Sequence, residues 1–441
     1  MTLQGKMLGV ISLGCDKNRV DTERMLGIMT DAGCVLTDDP SEAQILVINT
    51  CAFLESARAE AIDEIFDCAS YRDGGNLEKL VVTGCLPQKF IDELFDELPE
   101  VDVFAGFLDY DELPSAILKS YEGTRVNVVG ARNSVSEGER IVTTPLHYAY
   151  LKIADGCDNH CTYCLIPAIR GKYVSHPIER LVKEAQSLGE LTELILVAQD
   201  VTRYGSDLYG KNSLCDLIQA LSALDSVGAI RLLYCYPDQI DENLIAELKN
   251  NPKLIKYLDI PMQHAHPAVL KRMNRKGTGE QYLQLIRTLR EEIPNISIRS
   301  TFICGFPGET EEQSLALNKF LETAQLDYAG FFAYSKEDGT AAARLDGQLD
   351  DEEKERRVQR AYQTQMKITD QKLRNLIGKK VDVVMDGIDY DLGLFYGHTA
   401  FQVPELDGRI YFTTDDVAMQ GERYCVRIDR VENLDLYGEK L

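Results

Sequence analysis

Short apolar runs alternate with amphipathic stretches through the first third of the chain. Residues 6–13, 45–50 and 80–83 read as buried strands, each followed by a helical pattern. Such alternation predicts a parallel sheet, in which the loops at the carboxyl edges of neighbouring strands converge on one crevice. Beyond residue 148 six further units follow, with strands predicted at 150–154, 194–198, 230–234, 257–260, 296–303 and 328–334. Six units fall short of the eight that close a TIM barrel, so this part reads as an open (β/α)6 barrel. Residues 350–375 are charged, lack Gly and Pro, and keep a helical period, which predicts a connector helix. From Gly378 onward the runs 380–385, 392–396, 409–413 and 424–431 are separated by Gly, Asp and Pro, the texture of a small antiparallel β-barrel. The expected chain is therefore α/β and multidomain: a parallel-sheet domain over 1–125, the open barrel over 140–375 and the β-barrel over 376–441, with the polar stretch 122–144 as linker.

The cysteines supply the chemistry. There are twelve in 441 residues, with no signal-type apolar segment near Met1 and no apolar run long enough for a bilayer. That combination points to a reducing cytoplasm, where clustered Cys hold metal more often than they form disulfides. Cys157, Cys161 and Cys164 lie in GCDNHCTYCLIPAIRG, a CxxxCxxC spacing that offers three thiolates and leaves a fourth place open. Structural zinc sites close their tetrahedron with four protein ligands, so an iron–sulfur cube with one unprotected iron fits the soft trio best. His160, adjacent to Cys161, is poorly placed to chelate beside it and reads as a neighbour.

Cys15, Cys51 and Cys85 stand just past the ends of three successive strands, with separations of 36 and 34 residues. Each separation is about one strand–helix–strand repeat, so the three can meet at one sheet edge and share a task. Cys34, Cys68, Cys215, Cys235, Cys304 and Cys425 have no such relation and read as packing residues.

The CxxxCxxC loop, with Tyr163 before its last Cys, resembles the signature of the radical S-adenosylmethionine (SAM) superfamily. The strings SLGCDKNRVDTE, INTCAF and VTGCLPQ ahead of it are similar to those of the methylthiotransferases, which combine a cluster domain, a radical SAM domain and a small TRAM domain. That likeness covers essentially the whole chain. SLGCDKNRVD, VAQDVTRYGSDLYG, YLDIPMQH and FICGFPGETEE resemble the branch that modifies a ribosomal protein more than the branch that modifies transfer RNA. The resemblance implies two 4Fe-4S clusters, one on Cys15, Cys51 and Cys85 and one on Cys157, Cys161 and Cys164, with all six cysteines taking part in catalysis. It also implies SAM as methyl donor and radical source, and an external reductant supplied by an electron-donor protein. The product would be a methylthio group on the β-carbon of an aspartate in the small-subunit ribosomal protein numbered twelve.

Cofactor contacts are expected at Tyr163, Gln199, Gln263, Arg299, Gly305, Gly308 and Glu309. Gln199 and Asp200, like Gln263 and His264, end strands on the carboxyl face where barrel enzymes keep their chemistry. Arg299 would be costly inside a barrel unless a ligand or a buried carboxylate met it. Gly305, Gly308 and Glu309 are implied as a wall of the SAM pocket; a plain turn with Glu309 in the first turn of the next helix explains the same string. Two strings depart from the branch: YVSHP, with His176 where Arg is usual, and GHTAFQVPELDG in the tail, which bears on how the TRAM domain docks. The chemistry leads one to expect the carboxyl edge of the first domain to face the mouth of the barrel, with the TRAM domain holding the target protein nearby.

Charge refines the partner. The formal balance is −24, and residues 378–441 hold seven Lys and Arg against thirteen Asp and Glu. This is a poor footprint for transfer RNA, whose phosphates are bound by displaced counterions, and it complements a strongly basic protein. Arg170, Lys172, Arg272 and Arg275 form one candidate basic patch able to touch RNA. A transfer-RNA adenosine methylthiotransferase and a non-catalytic iron–sulfur carrier are the other readings the sequence accommodates.

Overall fold

Ile45–Thr50 is buried at every position, as a strand covered on both faces must be. In the computed structural model, which describes residues 2–107, 109–130 and 139–441, it is a central strand of a six-stranded parallel sheet. The order is Val35–Leu36, Met7–Ser12, Ile45–Thr50, Lys79–Gly84, Val103–Ala105 and Val126–Val128. The last of these falls inside the expected linker. It pairs with Val103–Ala105 through a three-residue V-N-V alternation too short to stand out in the sequence, and it carries the first domain past residue 125. Part of that linker, 131–138, lies outside the described residues. The sheet and its helices form one unit, Met1–Thr143 with Gly156–Asp158 and Cys164–Lys172.

The second unit comprises Thr144–Asp155, Asn159–Tyr163 and Tyr173–Leu441. Its six barrel strands, from Tyr148–Lys152 to Tyr328–Ala333, pair in parallel and in chain order, as an open barrel requires. Leu194, Leu196, Leu232, Leu258, Ile298 and Phe302 fill its core. The connector helix Asp351–Arg374 starts where Asp350 accepts the Glu353 amide at 2.8 Å. It is fastened to the last barrel strand by Gln365 and Thr369, which donate to the carbonyls of Leu326 and Asp327. The chain ends in a closed five-stranded barrel with four antiparallel ladders and one parallel ladder, between Ile410–Thr413 and Asp435–Lys440. Among the described residues no helix is long and apolar enough to cross a membrane.

A buried polar network seats this small barrel on the amino-terminal ends of the larger barrel's strands. Glu193 receives Arg231 in a two-point pair at 2.6 and 3.1 Å, and the same guanidinium donates onward to the carbonyls of Thr399 and Ala400. Asp386 lies between His147 Nε2 at 2.8 Å and His398 Nδ1 at 2.8 Å, while His398 Nε2 is 3.4 Å from Glu193. The Tyr257 hydroxyl donates to Asp407 at 2.8 Å. Much of the GHTAFQVPELDG string, read above as bearing on docking, is therefore spent on the chain's own barrel.

Burial opposes charge on His398, yet hydrogen bonds to Asp386 and Glu193 push its pKa from 6.5 up to about 9. A folded-state pKa above the unfolded one contributes stability that is complete below pH 6.5 and is lost as pH rises through about 9. Thermal unfolding followed from pH 6 to 10 should show the melting temperature falling across that window. His398→Gln should flatten the profile by removing on the order of 3 kcal/mol of linkage.

Candidate functional site

Each cysteine of the first trio follows a strand of the parallel sheet. Cys15 caps the helix Asp16–Asp31, Cys85 opens the helix Cys85–Glu97, and Cys51 follows Ile45–Thr50. Two of the three thus sit at helix amino termini, the positive end of the helix dipole. Glycines make the approach possible. Gly14, at φ +101°, brings the chain so close that a Cβ would stand 3.0 Å from Cys51 Cβ, and at Gly84, φ +98°, one would meet Asn49 Oδ1 at 2.3 Å.

The three sulfurs influence one another. Burial raises the pKa of Cys51, and Cys15 adds to the rise; burial pushes Cys85 up to about 11, with Cys15 and Cys51 adding to it and Arg170 opposing. Cys15 is exposed, Cys51 half-buried and Cys85 buried, so the trio opens on the Cys15 side, where a cleft of about 270 Å³ is lined by Ser12, Cys15, Arg19 and Thr22. Beneath it lies Arg170, 2 % exposed, which donates to Asn18 Oδ1 at 2.6 Å, Asp21 at 3.0 Å and Cys85 Sγ at 3.6 Å, with its guanidinium 4.3 Å from the Phe107 ring. Asn18 in turn donates to the carbonyls of Leu13 and Thr50, tying together the loops that carry Cys15 and Cys51. The sequence reading assigned no role to Asn18 and gave Arg170 only a place in a basic patch. Both lie in the quoted strings DKNR and AIRG, but nothing in their spacing shows that they meet.

The CxxxCxxC loop is held from several sides. The Cys157 amide donates to Gly171 O at 3.1 Å and the Ile166 amide to Cys164 Sγ at 3.4 Å, while Leu165 and Ile169 pack into the first unit's core. In the second unit Thr162 is hydrogen-bonded to Met273, Arg272 and Ala342. Cys161 Sγ lies 2.8 Å from the Tyr236 hydroxyl and 3.9 Å from Arg275 Nη1. His160 is exposed, with a left-handed φ of 48°. Tyr163 packs with Val269, Met273, Phe306 and Tyr334. Arg170 and Arg275, at 2 % and 7 % exposure, cannot form the RNA-touching patch suggested above.

Among the described residues no group of three or more His, Cys, Asp or Glu is gathered as the ligand set of a metal ion. A cube makes a different demand, since each thiolate meets its own iron across an inorganic core. The mutual influence of the first trio, its helix amino termini and the adjoining guanidinium suit that anionic tenant.

The remaining expected contacts divide. Gln199 has a buried side-chain oxygen without a hydrogen-bond partner, the condition of a group awaiting a ligand. Asp200 is occupied, accepting from Thr202 and from Asn159 of the cluster loop at 2.9 Å. Gln263 adopts a left-handed φ of 71° while its backbone pairs with Thr301 and Ile303, and His264 Nδ1 accepts the His266 amide at 2.9 Å. Arg299 finds carboxylates within the protein, Asp259 at 3.1 Å and Asp407 at 3.4 Å, so no ligand is needed to offset its charge. Glu309 is not in the first turn of a helix: Thr310 is the cap, and the Glu309 carboxylate folds back onto the amides of Gly305 and Phe306 at 2.7 and 3.0 Å and onto Arg357 at 3.2 Å. Glu309 shapes the turn, and Gly305 and Gly308 serve it with φ of 75° and 72°. His176 is buried, with its carbonyl accepting from the Tyr204 hydroxyl. Of the cysteines assigned to packing, Cys34, Cys68, Cys235 and Cys304 are buried; burial pushes Cys34 up to about 11 and Cys68 to about 12, as for inert thiols.

Fold and loop together define a radical SAM protein. Family models match at residues 7–106 (uncharacterized protein family UPF0004), 151–321 (radical SAM superfamily) and 377–440 (TRAM domain). Two solved structures are similar in fold alone, each at 14 % identity. One is the radical S-adenosylmethionine methyltransferase TsrM from Kitasatospora setae, TM-score 0.51, covering 75 % of each chain; the other is the cobalamin-dependent radical enzyme OxsB, TM-score 0.52, covering 80 % of this chain and 57 % of that one. Three proteins named ribosomal protein uS12 methylthiotransferase RimO are similar over nearly the full length. That of Lachnoclostridium phytofermentans is 44 % identical, covering 97 % of this chain and 98 % of its own; that of Clostridium tetani is 44 % identical, covering 98 % and 97 %; and that of Trichlorobacter lovleyi is 42 % identical, covering 100 % and 99 %. The chain belongs to the RimO family.

If Glu309 serves the turn, Glu309→Ala should cost about 2–5 kcal/mol in urea unfolding, because it leaves the buried amides of Gly305 and Phe306 without an acceptor, while Arg357 keeps Glu353 at 2.6 Å. Glu311→Ala, which removes the exposed pairs to Arg356 and Arg360, should cost about 0–1 kcal/mol. Unchanged stability in Glu309→Ala, with a raised KM for SAM, would return Glu309 to the cofactor.

Proposed function

We propose that the chain is a methylthiotransferase that replaces hydrogen by a methylthio group on the β-carbon of an aspartate in ribosomal protein uS12, working in the cytoplasm with two 4Fe-4S clusters and an external electron donor. The observation that carries this reading is the convergence of Cys15, Cys51 and Cys85 at one sheet edge, in a chain that also holds the CxxxCxxC loop. An iron–sulfur carrier needs one such set of thiols, whereas a reaction that makes both a radical and a carbon–sulfur bond has use for two. When bound, the clusters and SAM supply one-electron cleavage and a methylated sulfur for transfer.

The chain's own residues set the stage. Cys157, Cys161 and Cys164 would hold the SAM-binding cluster, and Cys15, Cys51 and Cys85 the sulfur-transferring one. Arg170 offsets the negative charge of the second set, and Asn18 holds Arg170 and the loops of Cys15 and Cys51 in place. Gln199 is our assignment for a SAM contact, and Asp200 steadies the loop beside it through Asn159. The acidic surface favours a basic partner by raising the encounter rate, an effect that weakens with salt. With Arg170 and Arg275 buried, the case for transfer RNA loses its main basic patch.

Anaerobically reconstituted protein, given SAM and reductant, should release 5′-deoxyadenosine and add the mass of one methylthio group to uS12, with KM rising as salt is added. Mass gained only on transfer RNA would overturn the choice of substrate, and absence of deoxyadenosine would favour a carrier. Changing Cys15, Cys51 and Cys85 together to Ala should halve the iron per chain and abolish methylthio transfer while deoxyadenosine release persists.

A further inference from the structure

Two buried guanidiniums rest on cysteine sulfurs, and they differ in one respect. Arg170, against Cys85, is already compensated by Asp21 at 3.0 Å. Arg275, 7 % exposed, has its Nη1 3.9 Å from Cys161 Sγ, its guanidinium 3.8 Å from the Tyr236 ring centroid, and its Nη2 donating to the Pro261 carbonyl. Among the described residues no carboxylate forms an ion pair with it; Asp238, in the turn after Tyr236, pairs instead with Lys276 at 3.4 Å. A buried cation without a counter-charge is strongly unfavourable, and an aromatic face and a carbonyl offset only part of that cost. The sulfur beside it is that of Cys161, which also lies 2.8 Å from the Tyr236 hydroxyl.

We propose that Arg275 is the built-in counter-charge of Cys161 in its thiolate, metal-bound form, and that with the Tyr236 phenol it acts as a positioning residue that retains the cluster of the CxxxCxxC loop and raises its reduction potential. The inference rests on the reading that Cys157, Cys161 and Cys164 hold a cluster. Reduction adds negative charge to that cluster, so a fixed positive charge and a hydrogen bond at one ligand sulfur favour the reduced state. Arg275 carries this charge through Cys161 and touches no reacting atom.

The test uses the full chain with Cys15, Cys51 and Cys85 changed to Ala, so that one cluster remains. Iron per chain, the midpoint potential followed by electron paramagnetic resonance, and melting temperatures with and without metal are compared for the parent, Arg275→Met, Arg275→Lys and Tyr236→Phe. Arg275→Met should lose at least half the iron or shift the midpoint to a more negative value, and leave the melting temperature of the metal-free chain unchanged or higher. Arg275→Lys should recover most of the change. Tyr236→Phe, which keeps the ring, should move the potential in the same direction by less, and it decides the question alone if Arg275→Met does not fold. Potential and iron equal to the parent's in these variants, or a metal-free melting temperature that falls as far as that of the loaded chain, would overturn the proposal. A parent that binds no iron sinks the cluster reading and this inference with it; a parent that binds iron beside indifferent variants sinks this inference alone.

Discussion

Three thiols meet at one sheet edge, and burial there is what the surrounding groups of the first domain work against. Strand ends place Cys15, Cys51 and Cys85 together, and burial makes each charge harder to form at Cys51 and Cys85. Two helix amino termini and one guanidinium work in the opposite direction, and Arg170 is kept from being an unpaired cation by Asp21. Asn18 serves two purposes: its amide nitrogen ties the Leu13 and Thr50 carbonyls, and its oxygen receives Arg170. Even with these partners Cys85 is held up at about 11, so metal binding at this edge would release protons.

The larger barrel separates its two ends by the kind of polar group each carries. At the amino-terminal ends of its strands, Glu193, Arg231 and Arg299 are met by His398, Thr399, Ala400 and Asp407 of the small barrel. A purely apolar seat would hold two barrels together yet allow them to slide, whereas a two-point Arg–Glu pair with carbonyl acceptors fits one orientation. Residues able to serve a cofactor collect after the strand ends instead, where Gln199 keeps a buried oxygen without a partner and Gln263 holds a left-handed backbone. That division follows the general rule that barrel enzymes place stability at one face and chemistry at the other.

The elements were legible because hydrophobic period is a local property. Residues 45–50 form a strand over the span their pattern indicates, all six barrel strands fall within a few residues of expectation, and the connector helix begins and ends beside Asp350 and Asn375. Of the strands that escaped notice, Val35–Leu36, Val103–Ala105 and Val126–Val128 are two or three residues long and owe their extended form to a neighbour's ladder, whereas Asp435–Lys440 has six residues and closes the small barrel. Among chemical groups, the meeting of Cys15, Cys51 and Cys85 at one sheet edge could be read because position after a strand is written along the chain.

What tertiary structure alone decided was the pairing of charges. The sequence showed Arg170 and Arg275 as members of a basic patch, Arg299 as a cation in need of an anion, and Glu309 as a wall of the SAM pocket or, on the plainer reading, a residue of a helix's first turn. Folding buried the two patch arginines against sulfur, met Arg299 with Asp259 and Asp407, and turned Glu309 back onto Gly305 and Phe306. The physical reason is that a strand or helix is selected by neighbours a few residues away, whereas a buried charge is settled by whichever group the fold brings within about 4 Å, however distant along the chain.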